Sequence, residues 1–269
     1  MDNRPIGVFD SGLGGLTVVK ELIDELPNED IIYFGDTARI PYGTRSKEIV
    51  AKYSSQCVQF LKTQNVKMVV VACNTVSSCC LDFLRTKFHI PIVGVIEPGA
   101  QAAVLATTNK KIGVIGTEGT ISSKAYERAI LKRAPDVSIY TKACSLFVSI
   151  VEEGWADTDV AYLTSKKYLD TMKLEKIDTL VLGCTHFPLL ADVIGKTMGN
   201  GVTLIDPAEG TALMTKQILT KNNMLNSLKS KGRYKFFVSD FGQKFEQIGS
   251  NFLGQNIVCA QKIDIENIK

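Results

Sequence analysis

An α/β fold of two similar three-layer domains with mainly parallel sheets is predicted by three observations. Short apolar, β-branched runs alternate with longer helical patterns along the chain. These runs are apolar throughout rather than alternating, as expected of parallel strands covered on both faces. The order of motifs in the first half recurs in the second, which points to duplication of one α/β unit.

In order, the strand candidates are Ile6–Phe9, Ile31–Phe34, Met68–Ala72 and Ile92–Ile96, then Ile112–Ile115, Thr179–Leu182 and Val202–Ile205. Helical patterns lie between them. From Ser46 to Lys62 the residues Ile49, Val50, Tyr53, Cys57, Val58 and Leu61 share one face, and Ser46 is placed to cap the helix.

The repeat is visible at three strand ends. Ile6-Gly7-Val8-Phe9-Asp10-Ser11-Gly12 matches Ile112-Gly113-Val114-Ile115-Gly116-Thr117-Glu118 at a shift of 106 (6 to 112). Val71-Ala72-Cys73-Asn74-Thr75 matches Leu182-Gly183-Cys184-Thr185-His186 at a shift of 111 (73 to 184). Ile96-Glu97-Pro98 matches Ile205-Asp206-Pro207 at a shift of 109 (96 to 205). One match would be chance; three in register predict two pseudo-twofold-related units. Ligands of such sheets bind beyond the carboxyl ends of the strands. A cleft between the units would then present Cys73 and Cys184 to opposite faces of one molecule. The strands of the second unit are complete by Asp206, so the expected division is 1–97 plus 210–269 for the first domain and 98–209 for the second.

Composition narrows the function. The chain has 269 residues, 45% hydrophobic and 22% charged, and its 31 basic and 28 acidic residues leave a net charge of +3. That balance argues against a nucleic-acid partner. The basic stretch Lys229–Arg233 reads as a solvated loop. There is no signal-peptide pattern and no apolar run of membrane-spanning length, so a cytoplasmic protein without a membrane partner is expected. The seven cysteines (57, 73, 79, 80, 144, 184 and 259) are odd in number and form no CxxC pair, which argues against a disulfide framework. Most read as small core residues.

Two cysteines stand apart. Cys73 ends a strand just before a helix, where the helix N-terminus favours a thiolate, and Asn74 and Thr75 bring polar groups that a core would have to satisfy. Cys184 also ends a strand, with Thr185 and His186 beside it and Pro188 in the first turn of the next helix. A His two residues from a Cys can relay a proton or poise the thiol. Zinc on Cys73, Cys184 and His186 lacks a fourth ligand and a familiar spacing, so no metal is expected. His89 reads as a loop histidine. The glycine-rich turn Asp10–Leu16 lacks both the dinucleotide fingerprint and the Gly-Lys-Ser/Thr of a P-loop; its glycines and helix start suit close approach to a carboxylate. Asp10 is either a base for a neighbouring thiol or a cap. Pro41-Tyr42-Gly43, after Asp36, is a turn able to offer backbone N–H groups.

Together, Asp10–Leu16, Asp36–Gly43, Ala72–Thr75 and Gly183–Pro188 resemble the glutamate racemase family over essentially the whole chain. Phe187 stands where Tyr is also seen. The resemblance implies cofactor-independent interconversion of L- and D-glutamate between two facing α/β domains, supplying D-glutamate for peptidoglycan. It implies Cys73 and Cys184 as the two acid/base thiols, Cys184 acting on L-glutamate and Cys73 on D-glutamate. Asp10 matches the carboxylate near the first thiol and His186 the imidazole near the second. Glu152, or its neighbour Glu153, matches the acidic residue near Cys184. Ser11, Tyr42, Gly43, Asn74, Thr75, Thr185 and His186 match substrate-contacting positions, and a homodimer is implied. Competing readings are a racemase of aspartate or hydantoins, a diacid cis–trans isomerase, an amino-acid-binding module without turnover, and a redox protein with a Cys73–Cys184 disulfide.

Overall fold

The structure, a computed structural model, describes residues 1–240, 244–254, 257 and 260–268; Cys259 lies outside them. The chain runs β1 (Ile6–Asp10), α1 (Leu16–Glu25), β2 (Ile31–Gly35), α2 (Lys47–Thr63), β3 (Met68–Val71), α3 (Asn74–Cys79), α4 (Leu81–Lys87) and β4 (Ile92–Gly94). It continues through α5 (Ile96–Ala106), β5 (Lys111–Gly116), α6 (Glu118–Ser122), α7 (Ala125–Arg133), β6 (Ser138–Ala143), α8 (Leu146–Glu152), α9 (Asp159–Leu174) and β7 (Thr179–Gly183). A short 3₁₀ turn at Phe187–Leu190 leads to α10 (Ala191–Met198), β8 (Thr203–Ile205), α11 (Pro207–Lys221), β9 (Tyr234–Val238), α12 (Lys244–Leu253) and β10 (Gln261–Lys262).

The strands form two sheets, ordered β10-β9-β2-β1-β3-β4 and β6-β5-β7-β8, and every pairing in both is parallel. The order β2-β1-β3-β4 in the first is reproduced as β6-β5-β7-β8 in the second, so the sequence repeat is a structural repeat. The first sheet extends further through β9 and β10. Because all strands are parallel, Asp10, Gly35 and Val71 end at one edge, as do Gly116, Ala143 and Gly183. Both site-bearing edges follow from strand direction alone.

Strands β1, β2, β3 and β7 are buried along their whole length, which is why they read as unbroken apolar runs. Strand β6 is an edge strand, Ser-Ile-Tyr-Thr-Lys-Ala, partly exposed throughout, and carries no such run. Some details differ from expectation. The fourth strand stops at Gly94, and Ile96 opens α5. Ile49, expected on the apolar face of α2, is 37% exposed, while Ser54 and Ser55 are buried. The Ser46 cap is present: its side chain accepts the Ile49 N–H. Helix α11 starts at Pro207 with the Asp206 carboxylate accepting the Ala208 N–H.

The helices after the fourth strands cross over. Helix α5 packs on α7 and β7, within the second unit, while α11 packs on α1 of the first and against α5. The six described cysteines form no disulfide, and His89 and Lys229–Lys231 are exposed. Among the described residues no helix is long and apolar enough to cross a membrane.

Candidate active site

The two facing strand edges enclose a cavity of about 300 Å³ whose walls include both Cys73 and Cys184. Ser11, Tyr42, Gly43, Asn74 and Thr75 contribute from the first unit; Glu152, Thr185 and His186 contribute from the second. Clefts of about 510, 530 and 610 Å³ elsewhere on the molecule contain neither of these cysteines.

Cys73 is the N-cap of α3, its carbonyl accepting from the Ser77 N–H at 2.9 Å, and its Sγ lies 3.5 Å from Ser11 Oγ. Behind Ser11, Asp10 is fully buried and does not line the cavity. Its Oδ2 accepts the Gly12 N–H at 3.0 Å, and its Oδ1 has no hydrogen-bond partner among the described residues. Cys184 follows β7 directly, and its Sγ lies 3.8 Å from Nδ1 of His186. His186 Nε2 is 3.1 Å from Oε1 of Glu152, the last residue of α8. Glu152 therefore reaches the imidazole, whereas Glu153 is exposed at the helix C-cap. The edge of the His186 ring meets Phe252 of α12 at 5.6 Å between centroids.

Gly14 of the glycine-rich turn stands where the two units pack closely. None of the turn's glycines lines the cavity. A Cβ on Gly14 would stand 2.2 Å from Thr185 Oγ1 and 2.7 Å from His186 Nδ1. The missing side chain lets the second cysteine motif close onto the first unit. Gly43 acts similarly: a Cβ there would lie 2.6 Å from Thr117 Cβ, and its carbonyl accepts the Gly119 N–H at 2.9 Å across the units. Tyr42 is buried, with its hydroxyl donating to Asp36, so it brings no free phenol to the cavity. Asp36 also accepts from Arg39 Nε at 2.7 Å and Ser239 Oγ at 2.7 Å, and so moors the Pro-Tyr-Gly turn to β9.

Charge is distributed unequally. Burial, reinforced by the Asp10 carboxylate, pushes the Cys73 thiol up to about 12, against the smaller opposing effects of the Ser11 hydroxyl and the Val76 N–H. The N-terminus of a six-residue helix cannot overcome that, and the lowered thiol expected from sequence is not found. Asp10 is itself raised by burial. Burial disfavours the imidazolium of His186, but its bonds to Cys184 and Glu152 outweigh this and raise it to about 10. At neutral pH Cys184 thus has a cationic neighbour, while the carboxyl behind Cys73 is shifted by burial toward its neutral form. Among the described residues no group of three or more His, Cys, Asp or Glu is placed to hold a metal ion.

Comparison with known proteins decides the family. The sequence profile of the Asp/Glu/hydantoin racemases matches residues 6–215. The chain belongs to this family. It is 50% identical to the glutamate racemase of Geobacter metallireducens over 98% of this chain and 97% of that one. Its fold superposes on the glutamate racemase of Francisella tularensis, solved in complex with D-glutamate, with a TM-score of 0.93 at 41% identity over 99% of both chains. The RacE1 isoform from Bacillus anthracis gives a TM-score of 0.94 at 41% identity over 98% of both. The chain is a racemase, and hence an isomerase.

The racemase cavity also uses residues that the motifs do not reveal. Thr117 lines it, bonded to Thr75 Oγ1 at 3.0 Å and to Thr120 Oγ1 at 3.2 Å. The repeat could have found it, because at a shift of 106 Thr117 is the counterpart of Ser11. Ser145, Leu146, Val148 and Ser149 of the α8 segment line the cavity as well, and only their nearness to Glu152 marks them in the sequence.

Proposed function

We propose that this racemase interconverts L- and D-glutamate by direct proton transfer between two thiols, without a cofactor. The observation that carries the reading is the placement of Cys73 and Cys184 at equivalent strand ends of two facing units on one small cavity. The substrate follows from the relatives, which are glutamate racemases at about half identity over nearly the full chain.

The α-proton of an amino acid is a very weak acid, so the base must be held at the proton and the developing charge must meet preorganised donors. On this reading Asn74, Thr75 and Thr185, which line the cavity, bind the α-carboxylate that takes up this charge. With L-glutamate, Cys184 as thiolate removes the proton from one face and becomes a thiol. Cys73 as thiol delivers its proton to the other face and is left as thiolate. With D-glutamate the roles reverse. The charge asymmetry suits the first assignment: the imidazolium of His186 faces Cys184, and burial keeps Cys73 protonated.

The same reading takes the two sheets as two domains, 1–97 with 210–269 and 98–209, consistent with the packing of α5 and α11. It places the enzyme in the cytoplasm, supplying D-glutamate to peptidoglycan, and a homodimer agrees with the family resemblance. The test is optical rotation of L-glutamate with purified, reduced protein and no added cofactor, with aspartate in parallel. Rotation of glutamate decaying to zero is the expected result. Racemisation of aspartate alone, or binding of glutamate without loss of rotation, would overturn the reading.

A further inference from the structure

Tyr126 is, among the described residues, the buried phenol that bridges the two cysteine motifs, and nothing in the proton-transfer scheme uses it. It sits near the start of α7 and is 2% exposed. Its hydroxyl donates to Asn74 Oδ1 at 2.7 Å, from the second unit to the residue after Cys73. Its ring lies against the residue before Cys184: a Cβ on Gly183 would be 3.1 Å from Cε2, and one on Gly99 would be 3.1 Å from Cε1.

We propose that Tyr126 is a positioning residue that fixes the Asn74 side-chain amide with its NH₂ group turned toward the substrate carboxylate. An asparagine amide has an acceptor end and a donor end, and only the donor end suits a carboxylate. The Tyr126 hydroxyl has no other acceptor among the described residues, so turning the amide over would strand its proton in a buried site. Burial holds the phenol well above its usual range, so it remains a donor at any working pH. Asn74 Nδ2 has no protein partner among the described residues, and Asn74 lines the cavity. The bond therefore selects one of two amide orientations before substrate arrives. It also ties that choice to the second unit.

The inference rests on the racemase reading of the cavity, and the experiment separates the two. Tyr126→Phe keeps the ring that fills the space at Gly99 and Gly183 and removes only the hydroxyl. Its kcat/KM for glutamate is expected to fall about five- to tenfold. In an Asn74→Ala background the same change is expected to have almost no further effect on kcat/KM, since the group it positions is gone. A merely structural role would act equally in both backgrounds. An unchanged kcat/KM, equal effects in both backgrounds, or loss of the fold in Tyr126→Phe would each overturn the proposal. The side-chain amide NMR signal of Asn74, assigned by its absence in Asn74→Ala, gives a readout free of turnover. It is expected to move in Tyr126→Phe without glutamate, and an unmoved signal contradicts the inference even if the natural substrate is a different amino acid.

Discussion

The Cys73 and Cys184 halves of the cavity share a backbone and differ in charge. Each thiol follows a central parallel strand, precedes a helical turn and is almost fully buried, at 5% and 7% exposure. Their neighbours are unlike. A hydroxyl and a buried carboxylate stand by Cys73, whereas an imidazole backed by Glu152 stands by Cys184. The repeat explains the difference. At the shifts that align the units, Asp10 corresponds to Gly116 and His186 to Thr75, so each ionisable partner occurs once. In the proposed two-base exchange, the repeat accounts for two thiols at matched positions and the unlike neighbours for their unequal surroundings.

The largest expected effect tests whether both halves are necessary. Cys73→Ala and Cys184→Ala are each expected to lower racemisation by at least about 10³-fold while retaining the fold. The residual chemistry should differ. Cys73→Ala keeps the base for L-glutamate and Cys184→Ala the base for D-glutamate, so each is expected to exchange the Cα proton of only one enantiomer in deuterated water. Full racemisation by either variant would break the comparison.

Next in size is the relay behind Cys184. Glu152→Gln is expected to lower kcat/KM about 10- to 100-fold. The fall must be equal in both directions, because the enantiomers have equal free energy in solution; a directional difference can appear only in kcat and KM separately. The bonds to Cys184 and Glu152 raise His186 to about 10, so removing the Glu152 charge lowers it. The alkaline limb of the rate profile is therefore expected to move toward lower pH. An unmoved limb would mean that His186 titration does not set it.

The same shift links to stability. Because His186 is raised from 6.5 to about 10 in the folded state, its stabilising contribution is complete below about 6.5 and is lost as pH rises through about 10. The fall in Tm over that window is expected to be smaller in His186→Asn than in the unmodified protein, measured by calorimetry.

Smaller effects probe the Cys73 half. Asp10→Asn removes a negative charge that adds to the effect of burial on Cys73. In a Cys184→Ala background, alkylation of Cys73 by iodoacetamide, followed by mass spectrometry, is expected to quicken about three- to tenfold. Slower alkylation would instead make Asp10 the base that ionises the thiol. The smallest change expected is a rise in KM of about two- to fivefold in Ser239→Ala, which removes one of three donors to Asp36 and loosens the Tyr42–Gly43 turn.

Much of the fold and of the cavity is legible in the sequence because the site lies at the ends of buried strands. Runs such as Met68–Val71 and Thr179–Gly183 announce themselves by hydrophobicity, and the two cavity cysteines stand within two residues of their ends. Strand β6, an edge strand with polar residues exposed on it, carries no such signal. Contacts between the units are hidden for a different reason. Thr75–Thr117 and Asn74–Tyr126 join residues more than forty positions apart, and Gly14 is a glycine because Thr185 and His186 press on it. Such requirements belong to the closed cleft and leave no local pattern. Sequence misjudges the Cys73 thiol because a helix terminus can be read from it but the depth of burial that outweighs that terminus cannot.

The most direct test of opposite-face action by the two thiols is the fate of the Cα hydrogen of L-glutamate in deuterated water at low conversion. The account requires that the D-glutamate formed carry deuterium at Cα while the unreacted L-glutamate keeps its proton, because the acid on the far face draws on solvent. Deuterium entering recovered L-glutamate as fast as D-glutamate appears would mean a single base serving both faces, and would contradict it.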